Sequence, residues 1–201
     1  MSDYPWDSRI ASWSTALLVL CGVLAGAGLV LPSPPAKAAQ PAGFSPMAAP
    51  AKPVRLIVPS LKIRAQILPI EVNAQQVLDP PSNPSDVGWW QRSARPGAKK
   101  GQTVLTGHTV HTGGGVMDNL GKLHKGQRVR VVTPRGTMVY STTKVVTWSK
   151  QELARRAVDI FAQRRHDLRL VLITCTGWTG SYYTSNVVVL ARPLGVRERS
   201  S

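Results

Sequence analysis

Acidic side chains are scarce in this chain. Ten Asp and Glu stand against 25 Lys and Arg in 201 residues, for a net charge of +15. Residues 53–201 hold 22 basic and 8 acidic side chains, which leaves +14 on that part. With so few carboxylates, no cluster of acidic residues suggests a calcium site. The positive field favours anionic partners: nucleic acid, acidic lipid headgroups or anionic cell-wall polymers. The signatures of base reading are also missing, with no zinc-finger spacing, no aromatic RNA-binding motif and no basic helix with heptads. Nucleic acid is therefore not an expected partner. Cysteine is equally sparse. Cys21 lies in a hydrophobic N-terminal segment, so Cys175 has no evident disulfide partner. His108-x-x-His111 with Cys175 offers three potential zinc ligands, but no second Cys or paired His motif supports a site. No metal or cofactor is expected, and the sequence has no internal repeat.

What is present falls into three textures. Ala11 to Leu31 runs 21 residues without a charge, and a helix of about 20 residues spans the hydrocarbon core of a bilayer. Trp6 and Trp13 would sit near one interface. A cleaved signal peptide competes, because Ala36-Lys37-Ala38 has the A-x-A form. The length of the stretch and its non-basic flank (Asp3, Asp7, Arg9) favour a retained single-pass anchor. Bulky Leu20 before Cys21 argues against a lipoprotein. Residues 1–10 then form a short flank, 11–31 the anchor, and 32–53 a Pro/Ala-rich, extended tether. A domain over 54–195 and a charged tail over 196–201 complete the chain.

Within the domain, short strands alternate with turn chemistry. Val54–Val58, Ala65–Val72, Thr103–Thr106, Arg128–Thr133, Met138–Val146, Leu168–Thr174 and Asn186–Ala191 read as strands. Pro134-Arg135-Gly136 reads as a tight hairpin connection. Ser149-Lys150-Gln151-Glu152 is a capping box that opens a helix over Leu153–Phe161, and a shorter helix is expected over Val116–Lys122. Many short strands with one or two helical crossings predict a mainly β, closed or nearly closed barrel.

Leu170-Val171-Leu172-Ile173-Thr174-Cys175-Thr176-Gly177 is an apolar run that ends in a thiol and a glycine. A side chain at such a strand end can leave the core and face a cleft, which makes Cys175 a candidate nucleophile. The alternative is a small buried hydrophobe, the usual state of a free cysteine. Thr103-Val104-Leu105-Thr106-Gly107-His108 mirrors that strand and delivers His108 in the same way. A Cys–His pair is what thiol catalysis needs, since the thiolate attacks and the imidazole moves the protons. His111, His124 and His166 lie in polar, Gly- or Arg-rich surroundings and are expected in solvent.

Taken in order, these motifs resemble a sortase, one of the cysteine transpeptidases of Gram-positive cell surfaces, over residues 53–195. Val58-Pro59-Ser60-Leu61 is similar to the family's early I-P-x-I strand. Gly88-Trp89-Trp90 and Ala94-Arg95-Pro96-Gly97 resemble the segment that leads to the catalytic histidine. Thr106-Gly107-His108 matches the histidine motif, and Leu120-x-x-Leu123-x-x-Gly126-x-x-Val129 matches the stretch after it. Leu172-Ile173-Thr174-Cys175 matches T-L-x-T-C, and Asn186-Val187-Val188-Val189 the last strand. The details look most like the actinobacterial class E/F group. The resemblance implies an eight-stranded barrel, with Cys175 forming an acyl-thioester on a Thr of an LPxTG-like sorting signal and His108 as proton donor and acceptor. The implied partners are secreted proteins with a C-terminal sorting signal and a cell-wall precursor or pilin amine as acceptor. The implied place is the cell membrane, with the catalytic domain outside.

The sequence departs from that family at one position that matters. The arginine expected at the start of the last strand, which would position substrate and stabilise the oxyanion, aligns with Thr184. Arg192 shares its strand parity but would lie about 26 Å away along the strand. Arg95 would reach only if the loop before His108 folds over the groove. The alternative donors are a Thr184 or Tyr183 hydroxyl or a backbone N–H. The usual Asp shortly after the histidine is also absent, replaced by Thr109-Val110-His111. The runner-up reading is therefore a degenerate sortase fold used as a non-catalytic surface-binding module. An L,D-transpeptidase is set aside because Cys175 is preceded by Ile173-Thr174 and not by that family's Ser/Thr-His-Gly.

Overall fold

A computed structural model describes residues 43–75 and 77–197. The expected flank and anchor (1–31), the first part of the tether and the tail beyond Arg197 lie outside the described residues. Among the described residues no helix is long and apolar enough to cross a membrane.

The strands are β1 (Phe44–Ser45), β2 (Arg55–Val58), β3 (Ile63–Ile70), β4 (Val87–Trp90), β5 (Thr103–Gly107), β6 (Arg128–Thr133), β7 (Gly136–Ser149), β8 (Leu170–Trp178) and β9 (Tyr183–Arg197). Two short helices, α1 (Lys150–Arg155) and α2 (Ala157–Phe161), connect β7 to β8. The sheet order is β9-β7-β6-β2-β3-β4-β5-β8, and β8 pairs back onto β9. That closes an eight-stranded barrel. The two-residue β1 adds outside the ring, with Phe44 opposite Arg197. Residues after β1 lie along the barrel, and Met47 and Ala51 are buried there.

Most strands are antiparallel, but β3–β4 and β5–β8 run parallel. The second of these parallel pairs carries the candidate residues. Alternation of side chains divides β5 and β8 between two cores. Leu105, Leu170 and Leu172 fill the barrel interior with Val187 and Val189. Val104, Val171, Ile173 and Val188 face outward into a second cluster with Ile160, and Leu153, Phe161 and Trp148 pack against it. Both faces of these strands are thus covered, which is why their sequences read as unbroken apolar runs.

The local chemistry explains most element ends. Thr133 pairs with Gly136 across Pro134-Arg135, a two-residue connection. Ser149 Oγ accepts from the Glu152 N–H at 3.1 Å and caps α1 as the box predicts. The helix expected over Leu153–Phe161 is instead two pieces, α1 and α2, divided at Arg156, whose N–H is shared between the Glu152 and Leu153 carbonyls. Only a 3-10 turn, Leu120–Lys122, forms where the Val116–Lys122 helix is expected. β7 and β9 run well past their predicted ends. Two register shifts, at Val139/Tyr140 and Thr142/Lys144, let β9 continue through Pro193 and Gly195.

Candidate active site

Cys175 is not at the end of its strand. It is the sixth residue of β8, which continues to Trp178. His108 directly follows β5. Thr106 pairs with Ile173 in the parallel ladder, so the next same-face positions, His108 and Cys175, lie side by side on strands about 4.8 Å apart. Both leave the outer face, beyond the cluster of Val104, Val171 and Ile173. The intervening residues clamp the two strands together from the inside. Thr174 Oγ1 donates to the Gly107 carbonyl at 2.8 Å and shares a 2.7 Å hydrogen bond with Thr109 Oγ1.

Glycine at position 107 has a steric cause. It faces inward, and a Cβ there would stand 2.9 Å from Met117 Cγ and 3.0 Å from Val116 Cγ1. Met117 N–H in turn donates to the His108 carbonyl at 2.9 Å, which fixes the backbone from which His108 projects.

The connection from β3 to β4 covers the site. His108 Nε2 lies 2.8 Å from the Pro81 carbonyl. A carbonyl only accepts, so a neutral His108 carries its proton on Nε2 and presents Nδ1 as the free acceptor. Leu78 from the same connection packs on the outer cluster. Burial pushes the Cys175 thiol above its ordinary value, the Lys150 ammonium pulls it back and the Asp79 carboxylate pushes it further up. The resting side chain at neutral pH is therefore the thiol.

Asn186 lies directly opposite Cys175 on β9. Its amide Nδ2 donates to the Thr174 carbonyl at 3.3 Å and stands 3.9 Å from Cys175 Sγ. Thr184, at the position where the arginine is expected, directs its hydroxyl to the Gly177 carbonyl at 3.1 Å. Arg192 pairs opposite Ser141 far up the same strand, and Arg95 is exposed in the β4–β5 connection. Neither arginine is among the charges that move the Cys175 thiol.

Past His108 and Cys175 the strand ends open into a cleft of about 410 Å³, with Asp118, Trp178 and Tyr183 in its wall. His111 also lines it, stacked on Trp178 with centroids 4.2 Å apart and planes 7° apart. Trp178 and Tyr183 are tilted neighbours at 5.0 Å. Asp118 holds the loop after His108, accepting from Val110 N–H at 2.8 Å and Gly115 N–H at 3.0 Å. Among the described residues no His, Cys, Asp and Glu side chains gather as a metal-ligand set.

Sequence reasoning picks out His108 and Cys175, and the structure brings them together. It misses Asp79, Pro81, Lys150 and the contact of Asn186 with the thiol. Asn186 appears only as a letter of the last-strand motif, and the other three come from two connections, β3–β4 and β7–β8, that no local spacing ties to Cys175.

Comparison with known proteins bears on the family and the fold. The Sortase domain model matches residues 56–194, and the chain belongs to the sortase family. Its structure is similar to sortase C-1 from Actinomyces oris, with a TM-score of 0.56 and 23% identity over 71% of this chain and 74% of that one. It is also similar to sortase A from Corynebacterium diphtheriae, with a TM-score of 0.59 and 16% identity over 76% of this chain and 65% of that one. Sortase C1 from Streptococcus suis gives a TM-score of 0.54 and 17% identity, over 71% and 73% of the two chains. At these identities the likeness is one of fold. No curated protein matches the chain in sequence.

Proposed function

We propose that this sortase-family chain is a cysteine transpeptidase, anchored by residues 11–31 with its barrel outside the membrane. It would cleave an LPxTG-like sorting signal through an acyl-thioester on Cys175. The observation that carries the reading is the placement of His108 and Cys175 at matching positions of neighbouring parallel strands, both on the outer face beside the β3–β4 connection.

The chemistry follows from the groups at hand. The thiol gives its proton to His108 as it approaches the Thr carbonyl of the signal, so that the C–S bond forms from the thiolate. Negative charge moves to the carbonyl oxygen, where the Asn186 amide supports it. The C–N bond then breaks, and the imidazolium protonates the departing amine. In the second half an acceptor amine attacks the thioester, gives up its proton and releases Cys175 as the thiol. The cleft suits that acceptor, because the Trp178 and Tyr183 faces and the Asp118 carboxylate attract an ammonium group.

The test is direct. The full chain is incubated with a sorting-signal peptide and a small amine, and the Cys175 peptide is searched by mass spectrometry for the thioester. Cys175→Ala and His108→Ala should both abolish product. Unchanged turnover in either variant rejects the mechanism.

Two observations favour a second reading, a non-catalytic surface-binding module. Thr184 stands where the arginine is expected, and burial holds the thiol protonated. That reading requires Cys175→Ala to bind a sorting-signal peptide as tightly as the unaltered chain while neither forms a thioester.

A further inference from the structure

We infer that Lys150 is a positioning residue for the reaction at Cys175, delivering from the first turn of α1 the positive charge that Thr184 does not carry. The inference rests on the transpeptidase reading and adds a residue to the same site.

Three adjacent strands set the geometry. Trp148 on β7, Asn186 on β9 and Cys175 on β8 form one row across the sheet. Alternate residues share a face, so the next row on that face is Lys150, Thr184 and Gly177. Ser149 lies between the two rows, opposite Ser185. Its hydroxyl caps α1 and thereby fixes where the chain leaves the sheet. Lys150 thus starts two strands over from Cys175 and two residues along, about 10 Å by about 7 Å. The flexible four-carbon stem of a lysine covers part of that span.

The surrounding charges leave Lys150 free for this role. Among the described residues its ammonium has no ion pair or hydrogen bond, and the side chain is exposed. The nearest acid in sequence, Glu152, is occupied by Arg155 at 3.5 Å and Arg156 at 2.6 Å. Arg156 and Lys144 lie over the Trp148 ring, at 4.8 and 6.0 Å. The groups around the thiol are His108 after β5, Asp79 from the β3–β4 connection, Asn186 from β9 and Lys150 from α1, with Tyr183 further along β9 coupled to it electrostatically. Asp79 disfavours an anion there. Lys150 is the lysine cation of this set, and it opposes the effect of burial on the thiol. An ammonium acts as a point charge and needs no bidentate alignment, so a cation arriving from a neighbouring strand can serve an anion at Cys175 without occupying position 184.

The test uses the full chain and two reagents of equal size and different charge. Alkylation of the Cys175 peptide by neutral iodoacetamide and by anionic iodoacetate is followed against pH by mass spectrometry. For Lys150→Gln the iodoacetamide profile should move up by about half a pH unit, and the iodoacetate-to-iodoacetamide rate ratio should fall roughly threefold. Lys150→Arg should restore both, as should Thr184→Arg in the Lys150→Gln background. A Cys175 that alkylates readily and is indifferent to Lys150→Gln overturns the role of the lysine and leaves the transpeptidase reading standing. A Cys175 that is inert in the unaltered chain overturns both.

Discussion

Asn186 stands directly across the β8–β9 ladder from Cys175, with its amide nitrogen 3.9 Å from the thiol sulfur and 3.3 Å from the Thr174 carbonyl. The second contact holds the amide in place before any substrate arrives. A donor fixed in advance beside the sulfur is aimed at charge that develops one bond away from it, which is the property of an oxyanion hole.

Asn186→Ala should therefore slow thioester formation about 100-fold, the cost of removing one such donor. Asn186 is half-buried and its amide contacts the Thr174 carbonyl and the Cys175 sulfur at long range, so the unfolding midpoint in urea should hardly move. Single-turnover acylation of Cys175 by a sorting-signal peptide measures the first quantity. A variant that loses stability in proportion to activity would assign Asn186 to the fold alone.

The connection over the site carries an opposing charge. Asp79 pushes the Cys175 thiol up, in the same direction as burial. The sign follows from the charge: a nearby anion makes the thiolate costlier, so removing it makes the thiolate easier to form. Asp79→Asn should move the pH profile of iodoacetamide alkylation at Cys175 to lower pH, with faster reaction at neutral pH and the same plateau at high pH. Lys150→Gln should move it the other way.

Much of the barrel was legible because its chemistry is local. Arg128–Thr133 alternates in and out and pairs as read, and Pro134-Arg135 makes the tight turn. Ser149 and Glu152 cap α1 through contacts three residues apart. The alternation that would have oriented Cys175 was hidden, because β8 is apolar on both faces, one toward the barrel and one toward α2. β4 was missed for a different reason. Its four residues include Gly88, which packs its backbone against Ile70, so a strand was expressed as close approach and not as β-branched side chains. β9 outran its prediction because a bulge at its own Leu194 carries it past Pro193 and Gly195, and a second bulge, at Thr143 on β7, leaves no signal in the sequence of β9. The same limit applies to the site. His108 and Cys175 announce themselves by similar strand-end motifs, whereas Asp79 and Lys150 reach Cys175 only through the topology.

Gly107 links the barrel core to His108. A methyl group there would press on Met117 and Val116 at about the distances given above, and overpacking of this kind costs about 1–3 kcal/mol. Gly107→Ala should lower the urea midpoint accordingly. It should also slow acylation beyond what the lost folded fraction explains, since Met117 N–H holds the His108 carbonyl. A variant with lower stability and full specific activity would separate core packing from histidine placement.

Gln102 is the buried polar tie between the start of β5 and α2. It is fully buried, and its amide donates to the Asp159 and Ile160 carbonyls at 2.9 and 2.7 Å while its oxygen accepts from Arg169 Nε. Gln102→Leu keeps the volume and removes the partner of the Ile160 carbonyl and of Arg169 Nε, while the Asp159 carbonyl keeps Arg169 Nη2 at 2.7 Å, a loss of about 1–3 kcal/mol. Denaturant unfolding checks the size. The alkylation profile of Cys175 should be unchanged, because none of these groups faces the thiol.

Trp178 tests the second half of the reaction. It is 39% exposed at the cleft rim, stacked on His111 and next to Tyr183. If the cleft receives the acceptor, its ring contributes to binding the ammonium and has no part in acylation. Cation–π contacts at such sites are worth about 0.5–2 kcal/mol. Trp178→Ala should then raise the amine concentration needed for half-maximal transfer roughly 3- to 30-fold, divert thioester to hydrolysis, and leave the rate of thioester formation unchanged. Equal losses in acylation and transfer would place the sorting signal, and not the amine, in this cleft.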